Sequence, residues 1–162
     1  MKTIVLGRHA KSDWSAGMQD FDRPLNRRGE KDAPRMGKLL ADYGIQPDII
    51  ISSPANRAQT TAQHVGNALN YTAPIQLEQR IYEEGHGTIL SILEDLPSEA
   101  SSVMLFGHNP TMEHIISYLL QMRAGITMPT CGMVCLEASI NDWKQLNPLS
   151  ISLKWFLIPR LI

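Results

Sequence analysis

Thr3-Ile-Val-Leu-Gly-Arg-His9 is the stretch on which the fold turns. Ile4, Val5 and Leu6 form an uninterrupted apolar run, the pattern of a strand buried on both faces between helices. The run stops at Arg8 and His9, and in open α/β sheets ligands bind just beyond the carboxyl ends of the strands. Arg8 and His9 are therefore expected at the ligand edge of a sheet.

Two further runs end in the same manner. Val103-Met-Leu-Phe106 leads into Gly107-His108-Asn109-Pro110, and Ile49-Ile-Ile51 leads into Ser52-Ser-Pro-Ala-Asn-Arg57. Each of these charged or polar residues alone reads as an ordinary strand-to-loop boundary. Arg8, His9, Arg57 and His108 together point to a site.

Working outward, the runs alternate with helical patterns, so the expected architecture is α/β, a three-layer αβα sandwich with a mostly parallel central sheet. Met36, Leu39, Leu40 and Tyr43 recur at helical spacing and Gly44 stops them, which predicts a helix over 31–43 with Pro34 in its first turn or bending it. Ser53-Pro54 reads as a cap followed by proline at the first helical position, with Ala58, Ala62, Val65 and Leu69 facing inward as far as Asn70. Asn109-Pro110 repeats that cap-then-proline pattern ahead of Met112, Ile115, Ile116 and Leu119. A shorter helix is expected from Thr88 to Leu96, and late strands over Cys131–Glu137 and Leu149–Ile158. The polar stretch from Lys11 to Arg28 is too long for a tight turn, and long loops at a ligand edge are usually functional.

The length of 162 residues suits one domain spanning 1–162, with a core large enough to fold alone. Fifteen Lys and Arg against 16 Asp and Glu leave a formal charge of −1, which excludes a global basic field for nucleic acid or an anionic membrane. No apolar stretch reaches the ~18 residues of a membrane span, and the first residues lack the pattern of a secretory signal. A cytoplasmic monomer is the expectation. Cys131 and Cys135 lie four apart on an expected strand, poorly placed for a disulfide, so reduced and partly buried thiols are expected. Neither a second Cys pair nor a nearby His accompanies them, so no metal site is expected there.

Two arginines beside two histidines suggest a phosphoryl ligand. The guanidinium fork matches phosphate oxygens bidentately and keeps its charge near neutral pH. Arg57, in the first turn of its helix, would add to the partial positive charge of the helix start. An imidazole with one unprotonated nitrogen is a competent nucleophile at phosphorus, so His9 could take the phosphoryl group and pass it to water. His108 would face an equatorial oxygen as a charged donor. Two readings of other classes stand beside this one: a binding module for phospho-ligands without turnover, and a metallo-hydrolase ligated by His9 and His108. Intact Arg8, His9, Arg57 and His108 weigh against the first, and flanking arginines would repel the second's cation.

Arg8-His9-Ala10-Lys11-Ser12, the Asp22-Arg-Pro-Leu-Asn-Arg-Arg-Gly29 segment, Ser52-Ser-Pro-Ala-Asn-Arg57-Ala-Gln-Thr60 and Gly107-His-Asn-Pro110 resemble, in this order, the histidine phosphatase superfamily. They are closer still to its small SixA-type phosphohistidine phosphatases. The resemblance runs from residue 1 to about 120 and implies a phosphoglycerate mutase-like fold. It implies His9 as the phosphorylated nucleophile, Arg8, Arg57 and His108 as the phosphate pocket, and a metal-independent reaction without cofactor. It also implies a proton donor, a Glu in a Leu-x-Glu context; Ile81-Tyr82-Glu83 takes that place, with Glu84 in reserve. Ser12 and Ser15 fall near positions that touch phosphate in relatives.

Ala10 replaces the glycine usual after the histidine in the wider superfamily, as in the SixA-type branch. Between Glu83 and Gly107 only one short helix is expected, where mutases carry longer lids, so the site is expected to be shallow and open. Such a site suits a phosphoryl group presented by a protein, and a phosphohistidine-carrying protein is the expected partner. A small-molecule phosphomonoesterase is the alternative substrate reading. Of the other histidines, His64 reads as a surface or half-buried residue, His114 as one that points away from the site, and His86 lies near the expected acid. Trp14, on the loop after His9, reads either as a wall of the site or as packing.

Overall fold

The computed structural model describes residues 1–162. Its centre is one six-stranded sheet of β1 (Lys2–Arg8), β2 (Ile49–Ser52), β3 (Gln76–Leu77), β4 (Ser102–Gly107), β5 (Met133–Ala138) and β6 (Ile151–Leu157), in the order β3-β2-β4-β1-β5-β6. β1, β2, β3 and β4 pair in parallel; β5 runs antiparallel to β1 and β6 antiparallel to β5, so only β5 opposes the rest. The expected mostly parallel sheet is thus present.

Strict alternation along the strands builds two cores, because successive strand side chains point to opposite faces. Ile4 and Leu6, Ile49 and Ile51, Val103 and Leu105, and Val134 and Leu136 face one side. Val5, Ile50, Met104, Phe106, Met133 and Cys135 face the other. The first face is covered by α4 (His86–Glu94) through Ile89, Ile92 and Leu93, and by α5 (Thr111–Leu119) through Met112, Ile115, Ile116 and Leu119. The second is covered by α1 (Arg27–Asp42) through Ala33, Met36 and Leu40, and by α2 (Asn56–Ala68) through Ala62 and Val65. Burial of each such Ile, Leu or Phe side chain stabilises by roughly 1.5–3 kcal/mol, which makes these strands the main source of stability.

Several helix starts differ from expectation. α1 begins at Arg27, not 31, because Asn26 caps it: its side chain accepts the Gly29 N–H at 2.9 Å. Pro34 consequently lies inside the helix, beyond its first turn. Ser53 does not cap α2; the cap position is Ala55, without a side-chain bond, and Pro54 precedes the helix. Pro110 is itself the cap residue of α5, outside the first helical position, and Asn109 spends its side chain elsewhere. α4 starts at His86 and ends at Glu94, and a one-turn helix α3 (Arg80–Glu83) precedes it. Cys131, expected in a strand, lies two residues before β5 with φ +60; it and Cys135 are free, buried thiols. Burial pushes the Cys131 thiol up to about 12 and the Cys135 thiol up to about 11. No helix is long and apolar enough to cross a membrane.

Candidate active site

Arg8 closes β1 and His9 follows it; Ser52 closes β2, and Arg57 lies in the first turn of α2; Gly107 closes β4, and His108 follows it. Parallel pairing of β1 with β4 and of β2 with β4 brings these ends to one edge. The His9 N–H donates to Gly107 O at 3.0 Å, so the two histidines share a backbone tie, and their ring centroids stand 5.2 Å apart. Gly7 is required here, since a Cβ on it would meet the Phe106 ring at 2.8 Å.

His9 is only 7% exposed. Its Nδ1 lies 2.7 Å from Ala10 O, an acceptor only, so Nδ1 carries the proton and Nε2 keeps its lone pair. Burial first, then the nearby His108, Arg57 and Arg8, push its pKa down to about 3. His9 is therefore neutral at pH 7. The Ala10 N–H donates to Thr61 Oγ1 at 2.9 Å, and Thr61 donates to Arg57 O at 2.6 Å, which fastens the segment after His9 to α2.

His108 Nε2 lies 2.8 Å from Ser53 Oγ, which accepts the Ala55 N–H at 3.3 Å. With the hydroxyl hydrogen directed to Nε2, the His108 proton sits on Nδ1. That atom is buried and has no partner. Burial and then Arg57 push the His108 pKa down to about 4, so the ring is neutral at pH 7, whereas the charged donor of the sequence reading faces a bound phosphoryl oxygen.

Arg8 donates to Met128 O at 2.9 Å, and Asn109 Nδ2 donates to the same carbonyl at 2.9 Å and to Glu113 at 2.8 Å. Arg57 donates through Nη1 to Asp20 O at 2.6 Å and through Nη2 to the Asp20 carboxylate at 3.1 Å. Asp20 also accepts from Arg23 at 2.8 Å and from the Tyr82 hydroxyl at 2.9 Å. Hydrogen bonding from Arg23 first, then from Tyr82 and Arg57, holds its carboxyl well below the usual carboxylate range. Tyr82 stands edge-on to His108 with centroids 5.7 Å apart, so Asp20, Arg23 and Tyr82 belong to the same cluster.

Every buried side-chain polar atom without a hydrogen-bond partner lies in this cluster: Nε of Arg8, Arg23 and Arg57, Nδ1 of His108 and Oδ1 of Asn109. Buried polar groups are normally paired, and here three of the five are guanidinium N–H donors and a fourth is an imidazole nitrogen. Such a concentration of unspent donors and fixed positive charge suits an anion with several oxygens.

The other expected residues are placed differently. Glu83 is exposed, and its carboxylate accepts from Gln79 at 2.8 Å. Ser15 is exposed, and its hydroxyl and N–H both donate to Asp13 Oδ1. No hydrogen bond joins either residue to Arg8, His9, Arg57 or His108. Ser12 is buried and accepts from Arg23. Trp14 is 75% exposed and its ring covers the Arg23 guanidinium at 3.6 Å. His64 pairs with Glu30 at the surface, and His86 stands against His114 and Tyr118. Between Glu83 and Gly107 there is one helix, α4, as expected.

Asp20, Arg23, Ser53, Thr61 and Tyr82 escaped the reading of the sequence. Arg23 and Ser53 lay inside quoted motifs, but nothing local marks their partners, and Asp20 meets residues 23, 57 and 82 only through the fold.

These strand-end histidines and arginines stand together on a mostly parallel sheet of an α/β protein, and the chain belongs to the histidine phosphatase superfamily, branch 1, whose sequence model matches residues 4–95. Within it the fold is SixA-like. A crystal structure from Agrobacterium tumefaciens, assigned as a phosphohistidine phosphatase SixA, is 34% identical, with TM-score 0.84 over 98% of each chain. The structure of a protein histidine phosphatase SixA complexed with tungstate shares the fold at TM-score 0.86 and 20% identity over 98% of each chain. An uncharacterised chloroplastic protein of Arabidopsis thaliana is 30% identical over 92% of this chain and 72% of its own. A 2,3-bisphosphoglycerate-dependent phosphoglycerate mutase of Streptomyces avermitilis is 36% identical over 53% of this chain and 36% of its own.

Proposed function

We propose that the chain, as one domain, is a metal-independent phosphatase that removes phosphate from protein phosphohistidine through a phosphohistidine intermediate on His9. The observation that carries this reading is the unprotonated Nε2 of His9, set by its bond to Ala10 O within a cluster whose guanidinium Nε atoms and His108 Nδ1 have no partner. His9 Nε2 attacks phosphorus, and the P–N bond to the substrate imidazole breaks with its electron pair retained on the leaving nitrogen. That nitrogen takes a proton from solvent or from Glu83. Water then attacks phospho-His9, which releases inorganic phosphate and returns the lone pair to Nε2. Arg8, Arg57 and the Nδ1 proton of His108 neutralise charge on the phosphoryl oxygens, a type of stabilisation that reaches about 2.7–4 kcal/mol per well-placed donor in oxyanion holes.

The phosphoramidate bond is labile, and this fits an exposed Glu83 that no other site residue holds. In this scheme Ser15 would reach phosphate only after releasing Asp13. The short connection between Glu83 and Gly107 leaves room for a phosphoryl group carried on a protein.

The test is phosphate release from a histidine-phosphorylated phosphotransfer domain by chelator-treated protein, with His9→Ala alongside. Wild type releases phosphate and forms an acid-labile phosphoenzyme; His9→Ala does neither. If only a small aryl phosphate is turned over, the substrate is a small phosphomonoester. If His9→Ala keeps near-normal activity, covalent catalysis through this residue is wrong.

A further inference from the structure

A second concentration of positive charge lies outside the site. Arg27, Arg28, Lys31 and Arg35 on α1 and Arg160 after β6 line a groove of about 800 Å³ whose one acidic side chain is Asp32. One third of the chain's 15 Lys and Arg are gathered here, in a molecule of formal charge −1. Arg28 and Arg35 flank the buried Asp32 at 3.4 and 3.5 Å, and Arg35 also donates to Pro159 O, which ties the C-terminal segment to α1. Arg27, Lys31 and Arg160 are exposed and have no ion pair. Three cations are therefore unspent.

The groove opens at the edge that carries His9. α1 starts at the strands' carboxyl edge, and β6, parallel to β1, ends there just before Pro159. The Asn26 N–H donates to Lys11 O at 2.9 Å, and a Cβ on Gly29 would stand 2.2 Å from that oxygen. Lys11 is two residues from His9, at most about 7 Å of chain. The first turn of α1 is thus fastened directly to the segment that leaves His9.

The cations are spread out and solvated. From Arg27 to Arg35 the helix rises roughly 12 Å, longer than a single phosphate. Arg28 and Arg35 side chains are 46% and 41% exposed, unlike the buried Arg23 and Arg57 of the site. Exposed Arg27, Lys31 and Arg160, beside the paired Arg28 and Arg35, present an extended positive surface that matches a row of carboxylates on one face of a partner helix.

We infer that this groove docks an acidic helical face of the phosphorylated protein whose phosphohistidine enters the site. The inference rests on the proposed function for its partner. The groove adds selectivity and association rate, and leaves the chemistry at His9 unchanged.

The probes are two helical peptides with one phosphohistidine, one carrying Glu on the same face over the next two turns and one carrying Gln there, plus the unphosphorylated Glu peptide with a fluorophore. Wild type should prefer the Glu phosphopeptide in kcat/KM by about tenfold at low salt, as three exposed pairs allow, and the preference should shrink in 0.5 M salt. Arg27→Glu with Lys31→Glu and Arg160→Glu should abolish or invert it, weaken binding of the labelled peptide, and leave turnover of an aryl phosphate unchanged. The Gln versions of the three provide a variant without new charge. Equal use of the two phosphopeptides, or equal peptide binding by wild type and both variants, would overturn the docking groove. Turnover of neither phosphopeptide, with aryl phosphate still cleaved, would instead overturn the phosphohistidine reading and the partner drawn from it, while peptide binding decides the groove separately.

Discussion

At the scale of single residues the cluster holds an anion of the chain's own, the Asp20 carboxylate on Arg57, Arg23 and Tyr82. An incoming phosphoryl group must compete for the Arg57 donors. Asp20→Asn should therefore tighten inhibition by inorganic phosphate or vanadate by about threefold to tenfold, the range of a partly exposed ion pair; unchanged inhibition constants would show that Arg57 needs no release. His9 and His108, pushed down to about 3 and about 4, titrate near 6.5 when unfolded. Between about pH 4 and 6.5 the unfolded chain binds more protons, so stability rises with pH through that window and falls as the pH drops. Each histidine contributes a slope of up to roughly 1.4 kcal/mol per pH unit. Denaturant unfolding from pH 4.5 to 7 measures it, and His9→Ala should flatten part of the slope. Arg8, His9, Arg57 and His108 could be read from the sequence because each sits where a buried apolar run or helix start fixes its place. Ser53 was legible only as a helix cap. Its hydroxyl is taken by His108, 55 positions away, which no local pattern encodes.

At the scale of elements, β1, β2 and β4 were legible because continuous apolar runs have one solution in a two-faced sheet, whereas the exposed two-residue β3 carries no such run and was missed, and helix starts depend on single side chains. α1 begins four residues early because Asn26 caps it and because Gly29 and Asp32, both buried, break the apolar period. α3 is four residues long and carries no period at all. Gly29 joins α1 to the site: a methyl there would strike the Lys11 backbone, which cannot swing aside as a side chain can. Gly29→Ala should destabilise by about 1–3 kcal/mol through overpacking and lower kcat as well, since the displaced Lys11 segment carries His9. Thermal melts and turnover together test this; lost stability with full kcat would uncouple α1 from the chemistry.

At the scale of the whole molecule, chemistry and scaffold occupy opposite ends of the sheet. At the amino ends of the strands Trp143 is fully buried and donates to Ala100 O at 2.9 Å, and Lys2 donates to the same carbonyl at 2.7 Å. Trp143→Ala should cost about 3–5 kcal/mol while leaving kcat unchanged well below the melting temperature. A parallel loss of kcat in fully folded protein would break that separation. The layered architecture followed from the alternation of runs and helical periods, but the gathering of the groove cations did not, because the segment of Arg160 meets α1 only through the placement of the edge strand β6. The two buried thiols extend the same separation of parts. With Cys131 and Cys135 held almost wholly protonated, thiolate amounts to less than roughly one part in a thousand at pH 7. Peroxide, which silences phosphatases that attack through sulfur, finds no reactive sulfur anion here, so the reaction proposed for His9 would be spared that route of inactivation.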